Sequence, residues 1–233
     1  HASAALERGL HVLCEKPMTI HAADARQLVA AAAARDLHLM IPYGWHYKPF
    51  IQEAKRLIED GRLGPIEYVL CHMASPIRSL LDGRGMMVPD GGGQSGDTLF
   101  EPTTATWADP KAAAGGYGYA QLPHSLGMLF WLTGLEAKSV FSLMTAPGSK
   151  VDLYDAITVR FTNGAIGTVS GAANVPFDRP FHVDLRLFGP EGMLLLDCER
   201  ARLELRRYDG NHVVADVDPD SGGYECTGPL YNF

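Results

Sequence analysis

The sequence predicts an α/β segment followed by an α+β domain with a large, mostly antiparallel open sheet. Two observations predict it. Residues 10–14 and 37–44 are apolar, strand-like runs separated by a stretch of helical periodicity, the order of a parallel βαβ unit. From residue 66 onward the apolar pattern changes to period two, the alternation of half-buried strands.

Residues 1–8 read as a helix, with Gly9 as its C-cap. "TIHAADARQLVAAAAARD" follows the first strand; Ala22, Ala25, Leu28, Val29 and Ala32 recur at helical spacing and Thr19 is a candidate N-cap. Two strands and two helices are too few for a parallel sheet covered on both faces. That, with His1 in place of Met and an opening inside a helix, is the expectation that the chain is a piece of a longer protein, truncated at its N-terminus and also at "GPLYNF". "KPFIQEAKRLIEDGRLGPI" reads as a helix stopped at Gly61, with Phe50, Ala54, Leu57 and Ile58 as its apolar stripe. The strands are then "IEYVLCHM", "SVFSLMTA", "DAITVRFTNGAIGTVSGAA", "FHVDLRLFG", "GMLLLDC" and "RLELRRY". Asn163-Gly164 marks a hairpin, and "PHSLGMLFWLTGL", stopped at Gly134, is the one helix expected to interrupt them. The expected domains are 1–45 and 46–233.

Composition narrows the function classes. Hydrophobic residues make up 46% of the 233, enough for a buried core. A formal net charge of −7 argues against nucleic acid or an anionic membrane as partner. Apolar runs fall short of the roughly 18 residues of a membrane span, and the first residues lack the pattern of a signal peptide. Cysteines at 14, 71, 198 and 226 form no CxxC pair; they read as reduced core residues of a cytoplasmic protein, and no metal site is expected. Residues 83–97 are glycine-rich without a strong strand ahead of them, which suits a mobile surface loop or an active-site lid better than a phosphate loop.

Three stretches bear chemistry. Glu15-Lys16-Pro17 falls at the carboxyl end of the first strand, where parallel sheets bind ligands; a solvated charged pair at a loop start is the competing reading. Trp45 and His46 crowd the equivalent end of the second strand, suited to a flat ligand ring or to packing between domains. His124 lies at a helix N-terminus, where the dipole disfavours imidazolium and leaves a neutral proton acceptor; a packed or capping histidine is the alternative. Glu101, Asp109 and Asp155 show no spacing suggesting a metal site or an acid/base pair.

Together "ALERGLHVLCEKPMT", "YGWHYKPFIQEAKRLIEDGRLGPI", "GGYGYAQLPHSLGMLFWLTG", "DAITVRFTNGAIGTVSG" and "LRLFGPEGMLLLD" resemble the glucose-fructose oxidoreductase / inositol dehydrogenase / rhizopine catabolism family of NAD(P)-dependent oxidoreductases, over nearly the whole chain. The resemblance implies the remnant of a Rossmann dinucleotide-binding domain followed by an α+β substrate and oligomerisation domain, and a homodimer or homotetramer built through the C-terminal sheet. It implies NAD or NADP as cofactor, bound by Glu15, Lys16, Pro17, Trp45 and His46. It also implies a sugar, inositol or related polyol as substrate, bound by Lys16, Tyr119, Gln121 and His124. His124 and Lys16 would be catalytic, the first taking the hydroxyl proton and the second stabilising the alkoxide. The family's glycine fingerprint after an N-terminal strand is absent. Its Asp four residues before the histidine is Ala120, its neighbouring Gly and Asp are Leu122 and Gly127, and the Asn at the second strand end is Gly44. Two further readings follow from the same resemblance: a member using bound NAD for elimination or hydrolysis, and a non-catalytic, ligand-sensing protein.

Overall fold

The computed structural model describes residues 1–84, 104–176 and 181–233. The glycine-rich residues expected to form a surface loop lie almost wholly outside that range. The chain forms two compact units, residues 1–47 with 224–233, and residues 48–223.

In the first unit α1 (Ala2–Glu7), β1 (Val12–Leu13), α2 (Ala22–Ala33) and β2 (Leu39–Met40) follow in order, and β1 pairs with β2 in parallel. The strands are shorter than their apolar runs, but the backbone pairing runs on to Cys14, whose N–H donates to the Met40 carbonyl. Leu6, Val12, Leu28 and Ala32 form the core, with Leu37 and Leu39 packed against it. Gly9 follows α1 at φ +75°, a conformation glycine adopts without strain. Thr19 is not the N-cap of α2: that position is His21, and the Thr19 hydroxyl donates instead to the His21 carbonyl at 2.9 Å.

The tail corrects the expected domain boundary. Residues 224–233, including a short helix Thr227–Tyr231, belong with the first unit rather than the second. The Tyr224 ring meets Trp45 edge-on at 4.8 Å between centroids, and its hydroxyl donates to the Pro42 carbonyl. Gly44 is required here, because a Cβ would stand 1.7 Å from the Glu225 carbonyl oxygen.

The second unit contains α3 (Pro49–Glu59), β3 (Tyr68–Ala74), α4 (Arg78–Leu81), α5 (Thr104–Ala108), α6 (Pro110–Ala113), α7 (Tyr117–Ala120), α8 (Leu122–Thr133), β4 (Ala137–Thr145), β5 (Tyr154–Phe161), β6 (Ile166–Ala172), β7 (His182–Gly189), β8 (Gly192–Asp197), β9 (Arg202–Arg207) and β10 (Val213–Val214). Its eight strands are ordered β10-β9-β8-β7-β3-β6-β5-β4. β3 lies between β7 and β6, antiparallel to the first and parallel to the second. Its alternation sends Val69, Cys71 and Met73 into the core. α3 opens with Pro49 at its first turn, where a missing N–H costs nothing, and buries Phe50, Ile51, Ala54 and Leu57. The β5–β6 turn forms at Asn163-Gly164: the Asn163 side chain accepts from Ala165 N–H and donates to the Ile66 carbonyl, and Gly164 takes φ +94°.

All four cysteines are free. Cys71 and Cys198 are core residues, but Cys14 is only half-buried and Cys226 is exposed, so the core reading holds for two of the four. Among the described residues no cluster of His, Cys, Asp and Glu could hold a metal ion, and no helix is long and apolar enough to cross a membrane.

Candidate functional site

Each unit carries its own set of candidate residues. In the first, β1 ends into Cys14-Glu15-Lys16-Pro17, and the Lys16–Pro17 peptide is cis. The Glu15 carboxylate turns back to accept the Lys16 backbone N–H at 3.1 Å. Lys16 is half-buried. Burial lowers the pKa of its ammonium and the neighbouring Glu15 charge only partly opposes that. A cation under this tension, at the carboxyl end of a parallel strand, is poised to meet negative charge.

At the end of β2 the chain passes through a 3-10 turn, Gly44–Tyr47. Trp45 is 4% exposed and packs on Tyr224. It therefore holds the turn in place instead of offering a ring face to a ligand, a departure from the flat-ring expectation. His46 is half-buried, edge-on to Tyr43 at 5.3 Å. The Tyr43 hydroxyl is pushed up to about 12 by burial and by its neighbour Tyr224. Glu15 acts electrostatically on Tyr224, so the ends of β1 and β2 both feel the tail. Nothing in residues 224–233 signals this in the sequence except three aromatic residues, Tyr224, Tyr231 and Phe233.

In the second unit the segment Gly115–His124 is built on Asp152. Its carboxylate accepts from Gly116 N–H and Gly118 N–H at 2.7 Å each, and its carbonyl accepts from Tyr117 N–H. A Cβ on Gly116 would stand 2.1 Å from that carbonyl oxygen, which forces glycine there. Tyr117 is fully buried, and its hydroxyl accepts a bond from Ser75 at 3.1 Å, at the carboxyl end of β3. α7 then gives way to α8 at Gln121, whose carbonyl accepts the His124 backbone N–H at 3.0 Å. His124 occupies the third position of α8 and is 8% exposed. Tyr119 and Gln121 are half-buried, and burial raises the Tyr119 hydroxyl pKa. Ala120 is buried and brings no polar group to the place of the family's aspartate. Tyr119, Gln121 and His124 thus share one short stretch, 119–124, that follows the turn held by Asp152.

Sequence reasoning passed over Asp155. Its carboxyl is buried. Burial pushes its pKa up to about 7, helped by the charge of Asp152 and by a side-chain hydrogen bond between the two carboxyls. The signal was its phase: Asp155 precedes Ile157, Val159 and Phe161 by twos on β5, and so belongs to their face.

Comparison with known proteins agrees with this architecture. A profile described as "GFO/IDH/MocA C-terminal domain" matches residues 51–195. A second, described as "Oxidoreductase family, NAD-binding Rossmann fold", matches residues 1–43. The levoglucosan dehydrogenase of Pseudarthrobacter phenanthrenivorans is 24% identical, aligned over all of this chain and 60% of its own length. A D-xylose 1-dehydrogenase (NADP(+)) of Hypocrea jecorina is 34% identical over 43% of this chain and 28% of its own. Among solved structures, an inositol dehydrogenase homolog complexed with NAD+ from Azotobacter vinelandii has a TM-score of 0.76 at 20% identity, covering 99% of this chain and 60% of that one. The chain thus spans about 60% of the length of these full-length matches.

Proposed function

The chain belongs to the GFO/IDH/MocA oxidoreductase family, and from that premise we propose that it serves an NAD(P)-dependent oxidoreductase acting on a secondary alcohol of a sugar, inositol or related polyol. The observation that carries the reading is Lys16: a half-buried ammonium of lowered pKa at the carboxyl end of a parallel strand. The relatives named for levoglucosan and xylose support the substrate class.

The residues present suit the nicotinamide end of the cofactor. Glu15, Lys16 and Pro17 lie where a parallel sheet receives a ligand, and Trp45 and His46 form the turn at the neighbouring strand end. The pyrophosphate end is different, because β1 runs into Cys14-Glu15-Lys16-Pro17 rather than a glycine turn. When bound, the nicotinamide would accept a hydride. His124 takes the hydroxyl proton of the substrate, with Tyr119 and Gln121 orienting the sugar. Lys16 stabilises the alkoxide as it develops. The same reading makes the chain a homodimer or homotetramer through its sheet. It is supported by Phe141, Leu143 and Ile166, which are 67%, 64% and 45% exposed on one face.

Growth of nicotinamide absorbance, with NAD+ or NADP+ and a panel of pyranoses and inositols, tests the proposal. Turnover that His124→Ala lowers by about 10²-fold or more supports it; turnover unchanged by that variant overturns the role of His124. Substrate consumed with no net nicotinamide reduction would instead place the protein among members that use the cofactor for elimination or hydrolysis. The buried Ala120 favours one further reading, a ligand-sensing protein, which would bind sugar without turning it over.

A further inference from the structure

Asp155 is used by none of the chemistry above, yet it is buried, at 4% exposure. Its surroundings on every packed element can be named. On β4 its cross-strand partner is Met144, and on β6 it is Gly171. A Cβ on Gly171 would lie 2.7 Å from the Tyr117 ring and 3.0 Å from an Asp155 carboxyl oxygen. From α7, Gly118 stands so close that a Cβ there would be 3.3 Å from the same carboxyl group and 3.0 Å from Met144. From the chain just before β5 comes Asp152. Among the described residues the titratable neighbours are therefore Asp152 and Tyr117, and neither is a cation.

Asp152 anchors the turn. Its two carboxylate oxygens each hold one amide of the turn, Gly116 and Gly118. A second negative charge at Asp155 would be buried and, among the described residues, would meet neither a donor nor a counter-charge, which is strongly unfavourable. It would also repel the carboxylate that anchors the turn. Kept as a neutral acid, Asp155 leaves that anchor undisturbed and fills the space that Gly118 and Gly171 clear for it.

We propose that Asp155 is a positioning residue: as a protonated acid it keeps Asp152 on the Gly116 and Gly118 amides, and on losing its proton it loosens the segment that leads to His124. The local pKa direction agrees with this, but the argument stands on the packing around Asp155 and on the two amides that the Asp152 carboxylate holds. The consequence for catalysis rests on the proposed role of His124, whereas the titration of the turn does not.

The test follows the backbone amides of Gly116 and Gly118 by NMR in this chain, from about pH 5 to about pH 9, a range spanning the ordinary carboxyl and the raised value. Both amides should shift together with one midpoint near neutrality, and Asp155→Asn, which imitates the protonated acid in shape, should hold them at their low-pH positions throughout. Amides that do not move in the wild-type chain, or that move identically in the variant, would overturn the proposal. The carboxyl carbon of Asp155 in the wild-type chain gives a reading that needs no variant to fold: a midpoint near 4, the ordinary range, would also overturn it. Should the amides titrate as expected while His124→Ala leaves turnover intact, the positioning device would stand and the catalytic reading of His124 would fall.

Discussion

Tyr224 donates its hydroxyl to the carbonyl of Pro42 at 2.9 Å, across 182 residues of chain. The same oxygen accepts the Gly44 N–H at 3.2 Å, so one phenol satisfies two backbone groups at the end of β2. Tyr224→Phe keeps the ring packed on Trp45 but removes both bonds. Each is worth about 0.5–1.5 kcal/mol, with more lost where a buried group is left without a partner. The expected result in urea unfolding is a loss of about 1–3 kcal/mol. Amide exchange should quicken around residues 42–47 while the second unit is unchanged. Equal protection in both proteins would show that the ring, not the hydroxyl, holds the tail.

Gly116 should tolerate no side chain. A Cβ there would overlap the carbonyl oxygen and the backbone nitrogen of Asp152, at 2.1 and 2.6 Å, and backbone cannot step aside as a flexible side chain can. Gly116→Ala should cost about 1–3 kcal/mol or more, and should also break the paired amides on the Asp152 carboxylate. Gly134→Ala is the comparison, since a Cβ there meets nothing within 4 Å and the strain is that of φ +63° alone. If the two variants unfold at the same denaturant concentration, the steric account of Gly116 is wrong.

Much of this architecture could be read from the chain, and the failures share a cause. Period-two alternation located β5 to β9, Asn163-Gly164 located their hairpin, and Gly61 and Gly134 marked the ends of α3 and α8. These are local signals, set by backbone conformation and by one buried face. Sheet order is not local. β3 enters between β7 and β6 because of contacts made more than 90 residues later in the chain, and no window of sequence contains them. The short helices α4 to α7 were missed because they have too few residues for periodicity; α6 is capped by the Asp109 side chain and α7 is held by Asp152. The pattern letters can also mislead. Gly91 to Gly96 satisfy the spacing GxGxxG, but Val88-Pro89-Asp90 precede them in place of an apolar strand, and the spacing carries meaning only in a strand–turn–helix context. Placement of Glu15-Lys16-Pro17 and His124 was legible because each adjoins a strong local element. Asp155 was passed over because its inward phase on β5 counts for more than its spacing to other acids.

Lys16 offers a test of the electrostatics at the end of β1. Burial lowers its pKa and Glu15 raises it, with burial the larger effect. Direct titration of the Lys16 amine should therefore give a midpoint below the ordinary value of about 10.4. Replacing the carboxylate by Glu15→Gln removes the favourable charge, so the midpoint should fall further. In an activity profile that depends on the ammonium, the alkaline limb would move to lower pH in the same variant. A midpoint that rises in Glu15→Gln would show that Glu15 acts on Lys16 through the backbone bond to its N–H, and not through its charge.

The exposed face of the sheet provides the last prediction. Phe141 and Leu143 lie on β4 opposite Thr158 and Ala156 of β5, and Ile166 continues the same face on β6. Side chains this large and this exposed, on one edge of an eight-stranded sheet, are what a partner surface requires, and the family reading supplies a second copy of this chain. Burying Phe141 and Leu143 should contribute about 1.5–3 kcal/mol each, from the area they remove from water. Phe141→Lys places a charge in that patch without touching Lys16 or His124. Sedimentation should show the wild-type chain as a dimer or tetramer and the variant shifted toward monomer, with the unfolding of the isolated chain little changed because Phe141 is 67% exposed. A wild-type chain that sediments as a monomer at concentrations up to about 100 μM, where even a weak dimer of −6 kcal/mol would be substantially formed, would remove the sheet from the list of self-association surfaces.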